Sequence, residues 1–285
     1  MKKSIFIILA FTIFCLTSCN NSRQEKVSYV DENENRGLTS CNNSSQEKEY
    51  FEKFEYHNSF CYNPNGNVIN FDYVFFLPSK EINPTVAKVI KNSVFKDLYF
   101  ENIDFTVDNY KDVINQYIKI FVDTTFKTDD IYLIAYDNYD YYFFNADSLY
   151  FLNEEIIGKN FYTEYYTGGD QIFSYYYTYF DANTGIVYDY NNVFSDKEKV
   201  SDMIFKKLNK MNEDENIEIS LFLSDSNDIA DIAPQFELKP DTIVFVFNPY
   251  EVFYAGGNVY VPFAFEEIKE YMNNNTPIYK YFNKK

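Results

Sequence analysis

The sequence has no tryptophan and a single histidine, His57, among its 285 residues. A histidine-rich metal site is therefore excluded, and a Ser-His-Asp triad would have to use His57. Because His57 lies among alternating residues of a predicted strand, a surface or hairpin position is favoured over a catalytic one. The sequence also has no phosphate-binding glycine loop, no G-x-S-x-G and no C-x-x-C. These absences predict a protein that is not an enzyme and that needs no cofactor.

Basic residues are scarce, with 25 Lys and Arg against 43 Asp and Glu, and the formal net charge is −18. Nucleic acid is not expected as a partner, since phosphate neutralisation needs clustered Lys and Arg. A cationic partner is compatible with this charge, although acidity more commonly serves solubility alone. The many carboxylates leave open a glycosidase-type pair by residue type, but no spacing selects one.

The sequence has no apolar run long enough to span a membrane. Its longest apolar run, SIFIILAFTIFCL, follows Met1-Lys2-Lys3 and ends at Leu16. It is too short for a membrane span, which needs about 20 apolar residues, and instead matches the core of a secretory signal. The next residues, Leu16-Thr17-Ser18-Cys19, have the pattern of a bacterial lipobox. We therefore predict a lipoprotein signal peptide at residues 1–18 and lipidation of Cys19, with an ordinary signal peptide as the alternative.

A segment around Cys19 occurs twice, as LTSCNNSRQEK at 16–26 and LTSCNNSSQEK at 38–48. The second copy places Cys41 after the polar stretch DENENRG, so only Cys19 follows an apolar run. Residues 19–48 are polar and lack periodicity, which predicts a disordered tether lengthened by the duplication. Cys41 and Cys61 could form a disulfide outside the cytoplasm, or Cys41 could be a by-product of the duplication.

Strand-type alternation begins near residue 50. FEKFEYHNSFC and NVINFDYVFFLP predict two strands joined by a turn at 63–66. Further strands are predicted by the same alternation in DYYFF, SLYFLN, NFYTEYY and QIFSYYYTYF, and in IYLIAYD at 131–137. A turn at 181–185 with Gly185 in the left-handed region then precedes IVYDY, and TIVFVFNPY and NVYVPFAF are predicted strands near the C-terminus.

Helical stripes occur at four places. Asn83-Pro84 begins the first, with Val86, Val89 or Ile90, and Val94 on one face. The other stripes are Tyr110, Ile114, Tyr117 and Phe121, in a helix starting near Thr106 or Asp108; Val200, Ile204, Leu208 and Met211, after a capping box at Ser195; and Phe265, Ile268 and Met272. The pattern predicts an α+β fold with mainly antiparallel sheets and about four helices packed against them.

Aromatic residues make up 21% of the chain, a proportion that fits either a binding surface or biased codon usage.

A faint resemblance to a calcium-binding loop occurs at Asp225, Asn227, Asp228 and Asp231. Ala230 and Phe236 stand where such a loop has its glycine and its last glutamate, and this favours a solvated acidic loop.

Only eight glycines occur, and four of them form the pairs Gly168-Gly169 and Gly256-Gly257. In a glycine-poor chain, each pair indicates a tight turn, or backbone that needs positive φ or close approach by another segment.

The residues around both pairs carry a family resemblance. YYTGGDQIFSYYYTYFDANTG and FNPYEVFYAGGNVYVPFAFEEI resemble segments of the bacterial extracytoplasmic family found in the outer domain of the lysozyme-sensing anti-sigma factor RsiV and in the non-catalytic part of the peptidoglycan deacetylase PdaC. Asp170-Gln171 departs from the family's usual Ala-His at this place. The resemblance implies an α+β fold, no cofactor and a recognition role in the cell envelope.

From these features we predict four regions: the signal peptide at 1–18, the tether at 19–48, an N-terminal α+β module at 49–165 and a C-terminal module at 166–285. The protein is predicted to be a lipid-anchored envelope recognition module that binds lysozyme or peptidoglycan. The alternatives are a structural envelope lipoprotein and a carboxylate-dependent glycan hydrolase. The predicted binding residues are Asn248, Pro249, Tyr250, Glu251, Tyr254, Gly256 and Gly257, together with Gly168, Gly169, Asp170 and Gln171.

Overall fold

The computed structural model describes residues 50–61, 68–98, 109–125, 141–166, 171–214, 223, 225–252 and 257–283. All of them belong to one unit, Asn43–Lys285. Several predicted features lie outside the described residues: the signal peptide, Cys19, the tether with Cys41, the turn at 63–66, the strand at 131–137, Gly168 to Asp170, Tyr254 and Gly256.

The larger of two sheets has six strands in the order β1-β2-β3-β4-β5-β6. They are β1 Phe51–Cys61, β2 Val68–Pro78, β3 Tyr141–Asn153, β4 Ile156–Tyr166, β5 Gln171–Asp181 and β6 Val187–Tyr188. Neighbouring strands are antiparallel except β2 and β3, which are parallel. A parallel pair needs a long crossover, and the chain between these two strands contains helices α1 (Pro84–Asp97) and α2 (Tyr110–Thr125).

Both crossover helices pack on one face of this sheet, which we call the inner face. Alternation along each strand places one set of apolar side chains there, including Phe71 and Phe75 on β2. The predicted stripe of α1 is confirmed, because Val86, Ile90 and Val94 are buried, and Asn83 caps the helix by accepting a hydrogen bond from Thr85 N. In α2 the predicted Ile114 is fully buried together with Ile118 and Val122, while the predicted Tyr110, Tyr117 and Phe121 are partly buried against the same core.

The strand β1 forms one edge of the six-stranded sheet. Helix α2 reaches this edge, where the Tyr110 hydroxyl donates to the Glu55 carbonyl oxygen at 2.8 Å. Tyr56 Oη and Asn58 Nδ2 both donate to Asn115 Oδ1 of the same helix. Part of the edge is therefore covered by side chains of α2.

The second sheet has three antiparallel strands in the order β7-β8-β9: Gln235–Lys239, Thr242–Phe247 and Val259–Ala264. Around it lie α3 (Tyr190–Val193), α4 (Lys197–Asp214), α5 (Ser226–Ile232), α6 (Phe265–Ile268) and α7 (Pro277–Asn283), with a 3-10 turn at Lys269–Tyr271. Val200, Ile204 and Leu208 of α4 are buried as predicted. They join a second core in which aromatic rings of β8, β9 and α3 meet.

The α+β prediction is confirmed, with mostly antiparallel sheets, although the described residues contain seven helices instead of about four. DYYFF and SLYFLN form one continuous strand, β3, because the intervening Asn145-Ala146-Asp147 also pair with β4. The predicted acidic loop is wrong in part, since Asp225 caps the short helix α5. Strand β7 and helix α7 were not predicted at all.

The cap of α4 also differs from the prediction. Asp196 accepts the hydrogen bond from Lys199 N at 3.0 Å, whereas the Ser195 hydroxyl donates to the Tyr271 carbonyl oxygen. Gly185 has the predicted positive φ, at 76°.

The predicted boundary between the modules, at 165/166, falls at the end of β4. Strand β5 pairs with β4 along its whole length, so the sheet continues across this position. Among the described residues, no helix combines the length and the apolar character needed to cross a membrane.

Candidate functional site

The outer face of the six-stranded sheet, opposite α1 and α2, carries a row of aromatic rings. The rings belong to Tyr142 and Phe144 on β3, Tyr162 on β4, and Tyr175 and Phe173 on β5. Successive ring centroids are 6.4, 5.8, 4.9 and 6.5 Å apart. Phe173 is 37% exposed and the other rings are partly buried. We call this set of five the aromatic row.

Carboxylates flank the aromatic row. The Tyr162 hydroxyl donates to Glu164 Oε2 at 2.5 Å, and Gln171 Nε2 also donates to the Glu164 carboxylate. Burial raises the pKa of Tyr142 to about 12, helped by the carboxylate of Asp72 and more weakly by that of Glu164. Across β2 to β5, the described outward positions hold carboxylates and no lysine or arginine. This face therefore favours cationic or neutral ligands over anions.

A shallow polar pocket lies at the β1 side of the row and has a volume of about 440 Å³. It is lined by His57, Asn58, Ser59, Asn70, Asp72 and Tyr142. His57 Nδ1 lies 2.7 Å from Asp72 Oδ1, and the Ser59 hydroxyl donates to Asn70 Oδ1. The prediction that His57 is a surface strand residue is confirmed, because it points outward from the edge strand. The lining contains one carboxylate, so the pocket does not present a pair of facing acids.

At the other side of the row, side-chain amides of the second sheet bind the open edge of β5. Tyr175 N donates to Asn248 Oδ1 at 2.9 Å, and Tyr177 N donates to Gln235 Oε1 at 2.9 Å. Gln235 Nε2 in turn donates to the Tyr175 carbonyl oxygen. These three bonds satisfy backbone groups that a further strand would otherwise bind, and they attach the second sheet to the first.

The predicted Asn-Pro-Tyr-Glu segment forms a tight turn after β8. Asn248 N donates to Glu251 Oε2 at 2.7 Å, and Glu251 N donates to the Asn248 carbonyl oxygen at 3.1 Å. Tyr250 has a φ of 66°, which is uncommon for a residue other than glycine. Burial raises the pKa of Glu251, although the backbone and side chain of Asn248 act in the opposite direction.

The predicted binding residues belong to two segments, 168–171 and 248–257. The described parts of both lie at the outer face beside β5. Asn248 binds Tyr175, Gln171 begins β5 and binds Glu164, and a Cβ added at Gly257 would lie 3.8 Å from Phe173 Cζ. Asn248 is only 4% exposed, so it acts in shaping the turn.

At Gly257, two of the predicted alternatives, positive φ and close approach by another segment, are not found. Its φ is not positive, and an added Cβ would make only an ordinary contact. A close approach occurs instead at Gly158, where an added Cβ would lie 2.5 Å from the ring of Tyr150, so that this ring would have to shift.

Sequence reasoning missed the aromatic row and its carboxylates. The available signal was the period-two alternation of Tyr142-Phe144 and Phe173-Tyr175, which places each pair on one face. The register between strands was needed to bring the pairs together, because Tyr162 lies opposite Tyr175. In the part of the chain that the structure describes, no group of three or more His, Cys, Asp or Glu residues could hold a metal ion.

Comparison with known proteins gives a family for the C-terminal part of the chain. Residues 191–266 match the family described as "Protein of unknown function (DUF3298)", a region that contains α4, α5 and all three strands of the second sheet. No curated protein matches the chain.

Two solved structures of DUF3298 family proteins are similar to this one. The protein from Bacteroides fragilis has a TM-score of 0.61 at 16% identity, over 82% of this chain and 97% of that chain. The protein from Pseudomonas aeruginosa has a TM-score of 0.48 at 10% identity, over 80% and 95%. At 16% identity, the likeness to the Bacteroides protein extends to the fold. The chain thus contains a DUF3298 domain in an α+β structure of the kind found in that family.

Proposed function

We propose that the protein is a lipid-anchored recognition module of the bacterial cell envelope. It binds a cell-wall-related ligand, either lysozyme or peptidoglycan, and catalyses no reaction. The observation that carries this proposal is the position of the Asn248 turn beside the aromatic row, on strands β2 to β5, whose described outward positions hold no lysine or arginine. Aromatic side chains surrounded by polar groups are the usual energetic centres of interfaces.

The ligand contact in this proposal consists of the aromatic row together with the turn at 248–251. Asn248 and Glu251 hold the turn in shape through their mutual hydrogen bonds, and Tyr250 is carried by that turn. The exposed Phe173 pairs across the strands with Glu164. A cationic protein such as lysozyme would meet carboxylates and ring faces here, and both attract ammonium and guanidinium groups.

The binding test compares two substitutions on the same strand. Phe173 and Tyr176 are 37% and 40% exposed but project from opposite faces of β5. Full-length protein in detergent micelles is used to pull down lysozyme and, separately, purified muropeptides. We expect Phe173→Ala to weaken capture roughly tenfold or more, and Tyr176→Ala to leave it unchanged. Equal capture by both variants, or no binding of either ligand by the wild type, would contradict the proposed surface.

The anchor is tested separately. We expect Cys19→Ala to release the protein from the membrane fraction and Cys41→Ala to leave it bound, because stable attachment needs the acyl chains on Cys19. Mass spectrometry of the mature N-terminus provides the direct readout. Diacylglycerol on Cys41 would overturn the assignment of Cys19.

The physiological test is lysozyme sensitivity after deletion of the gene. A recognition module that binds lysozyme predicts altered sensitivity, restored by the wild type and not by Phe173→Ala. Unchanged sensitivity would favour a structural lipoprotein. Turnover of purified peptidoglycan that disappears with a single carboxylate substitution would establish a hydrolase instead.

A further inference from the structure

A lysine is buried on the inner face of the six-stranded sheet. Lys159 of β4 is 0% exposed, and its Nζ donates to Ser93 Oγ at 2.5 Å. The same Nζ is in direct contact with Oδ2 of Asp97. Ser93 and Asp97 both lie in the C-terminal part of α1, so the amino group sits beneath the end of this helix.

A second carboxylate lies close to the same lysine. Asp147 of β3 is 1% exposed, and it is the diagonal cross-strand neighbour of Lys159, because Leu149 pairs with Lys159 and Asp147 pairs with Phe161. Neither carboxylate oxygen of Asp147 makes a hydrogen bond of good geometry within the described residues. Burial raises the pKa of Asp147 well above its usual value, although the charge of Lys159 acts against this.

Lys159 and Asp147 pair across the strands with apolar residues of the inner-face core. Leu149 and Phe161 on the strands and Ile90 and Val94 on α1 belong to the same buried core. Burial disfavours the charged form of the Asp147 carboxyl, whereas the Asp97 side chain is 23% exposed. An amine and a carboxyl group that are held in contact can condense to an amide when both are in their neutral forms.

We propose that Lys159 and Asp97 join through an intramolecular isopeptide bond, with Asp147 transferring the proton. The Lys159 Nζ, as the free amine, attacks Cγ of Asp97 in its acid form, and an Nζ–Cγ bond forms while one Cγ–O bond breaks. Asp147 accepts a proton from the nitrogen and passes it to the departing oxygen, which leaves as water. The products are one amide and one water molecule, so no oxidant, reductant or cofactor takes part.

Fixed contact is the driving feature of this step. Holding two reactants in position replaces a bimolecular encounter, with effective concentrations on the order of 10⁵ M or more in well-oriented cases. Here the nitrogen comes from the sheet and the carboxyl from the helix, so the fold itself brings them together. The product would tie the C-terminal end of α1 to the middle of the sheet.

The test is mass spectrometry of the full-length wild-type protein, purified from membranes, denatured and digested with trypsin. We expect one linked peptide containing both Asp97 and Lys159, lighter than the sum of its parts by one water, and no cleavage after Lys159. Fully separate peptides of unmodified mass would overturn the proposal, and a link to Asp147 would overturn the assignment of Asp97.

Variants identify the roles. Lys159→Arg and Asp97→Ala remove the reacting groups and should abolish the linked peptide, whereas the exposed control Lys206→Arg should retain it. Asp147→Asn leaves both reacting groups in place, so a folded variant by circular dichroism should lack the link, and Asp147→Glu should restore it in part. Full linkage in folded Asp147→Asn would show that Asp147 does not transfer the proton. If a variant fails to fold, the wild-type digest still decides.

Discussion

The two faces of the six-stranded sheet are covered in different ways. On the inner face, α1 and α2 bury a continuous set of apolar side chains, with Phe75, Ile90 and Val94 fully enclosed. On the outer face, the second sheet and its helices cover the region around Tyr179 and Ile156, while the aromatic row is only partly buried. One face is closed by the fold, and the other keeps a partly exposed aromatic surface, the proposed ligand contact.

Strand β5 shows how one segment serves both faces. Phe180 belongs to the core under α1 and α2, whereas its neighbour Tyr179 belongs to the core of the second sheet. The Tyr179 hydroxyl also accepts a hydrogen bond from Leu238 N at 2.8 Å. The inner face therefore contributes stability, whereas the outer face attaches the second sheet and carries the aromatic row, which we propose as the ligand contact. Substitutions on each face should separate these roles.

The largest effect is expected on the inner face. Phe75 is fully buried and stacks on Phe54 with ring centroids 5.2 Å apart. Phe75→Ala should lower the free energy of unfolding by about 3–5 kcal/mol, because it leaves a cavity in the core. Denaturant unfolding measures this, with Phe76→Ala on the same strand, a partly exposed position, as the control. Equal losses for both variants would break the distinction between the two faces.

The next effect concerns the attachment of the second sheet. Asn248→Ala removes the acceptor for Tyr175 N and should cost about 1–3 kcal/mol, since a buried donor is left without its partner. Gln235→Ala should have a similar effect, because it removes two bonds to β5. Thermal unfolding is the readout, and the exposed Asn283→Ala serves as control. Wild-type stability of both variants would show that these amides do not hold the junction.

A smaller effect is expected from the titration of Glu251. Burial raises its pKa in the folded state, so the folded protein binds this proton more tightly than the unfolded chain. Stability attributable to Glu251 is therefore present below the unfolded pKa of about 4.3 and falls as the pH rises through the folded pKa. Glu251→Gln removes this decline while keeping an acceptor for Asn248 N. The melting temperature against pH should be flatter for the variant above about pH 4, and parallel curves would refute the assignment.

The smallest change in stability is expected at the exposed end of the aromatic row. Phe173→Ala should alter the free energy of unfolding by roughly 0.5 kcal/mol or less, as is usual for surface positions. If it loses ligand capture as well, stability and recognition are separated on the outer face. A large loss of stability would place Phe173 in the structural group instead.

Much of the fold was predictable because its elements carry strong local patterns. The stripe of α1 and the alternation of β1 and β2 follow directly from side-chain periodicity. The short helix α5 was not predictable in this way, since its Asp225 cap lies in a polar stretch that equally suits a loop. Strand β7 was missed because only Phe236 and Leu238 mark its buried face.

The candidate site was harder to predict than the fold, because it depends on which strands become neighbours. The turn at 248–251 was identifiable as a segment, but the role of Asn248 follows from its bond to Tyr175, which is remote in sequence. Likewise, nothing local brings Lys159 to Asp97, since one lies on β4 and the other on α1. Spatial pairing of this kind comes from the register of the sheet and the path of the crossover.

The contacts of α2 with the edge strand β1 have a consequence for association between copies of the protein. Open strand edges are templates for pairing between chains, and under the proposed membrane anchoring the protein would meet its own copies often. The Tyr110 bond to Glu55 and the two contacts of Asn115 occupy part of that edge. Charged residues in the same strand, Lys53 and Glu55, further oppose flat association of two such edges. Helix α2 therefore helps to keep neighbouring copies of the protein separate and its outer face accessible.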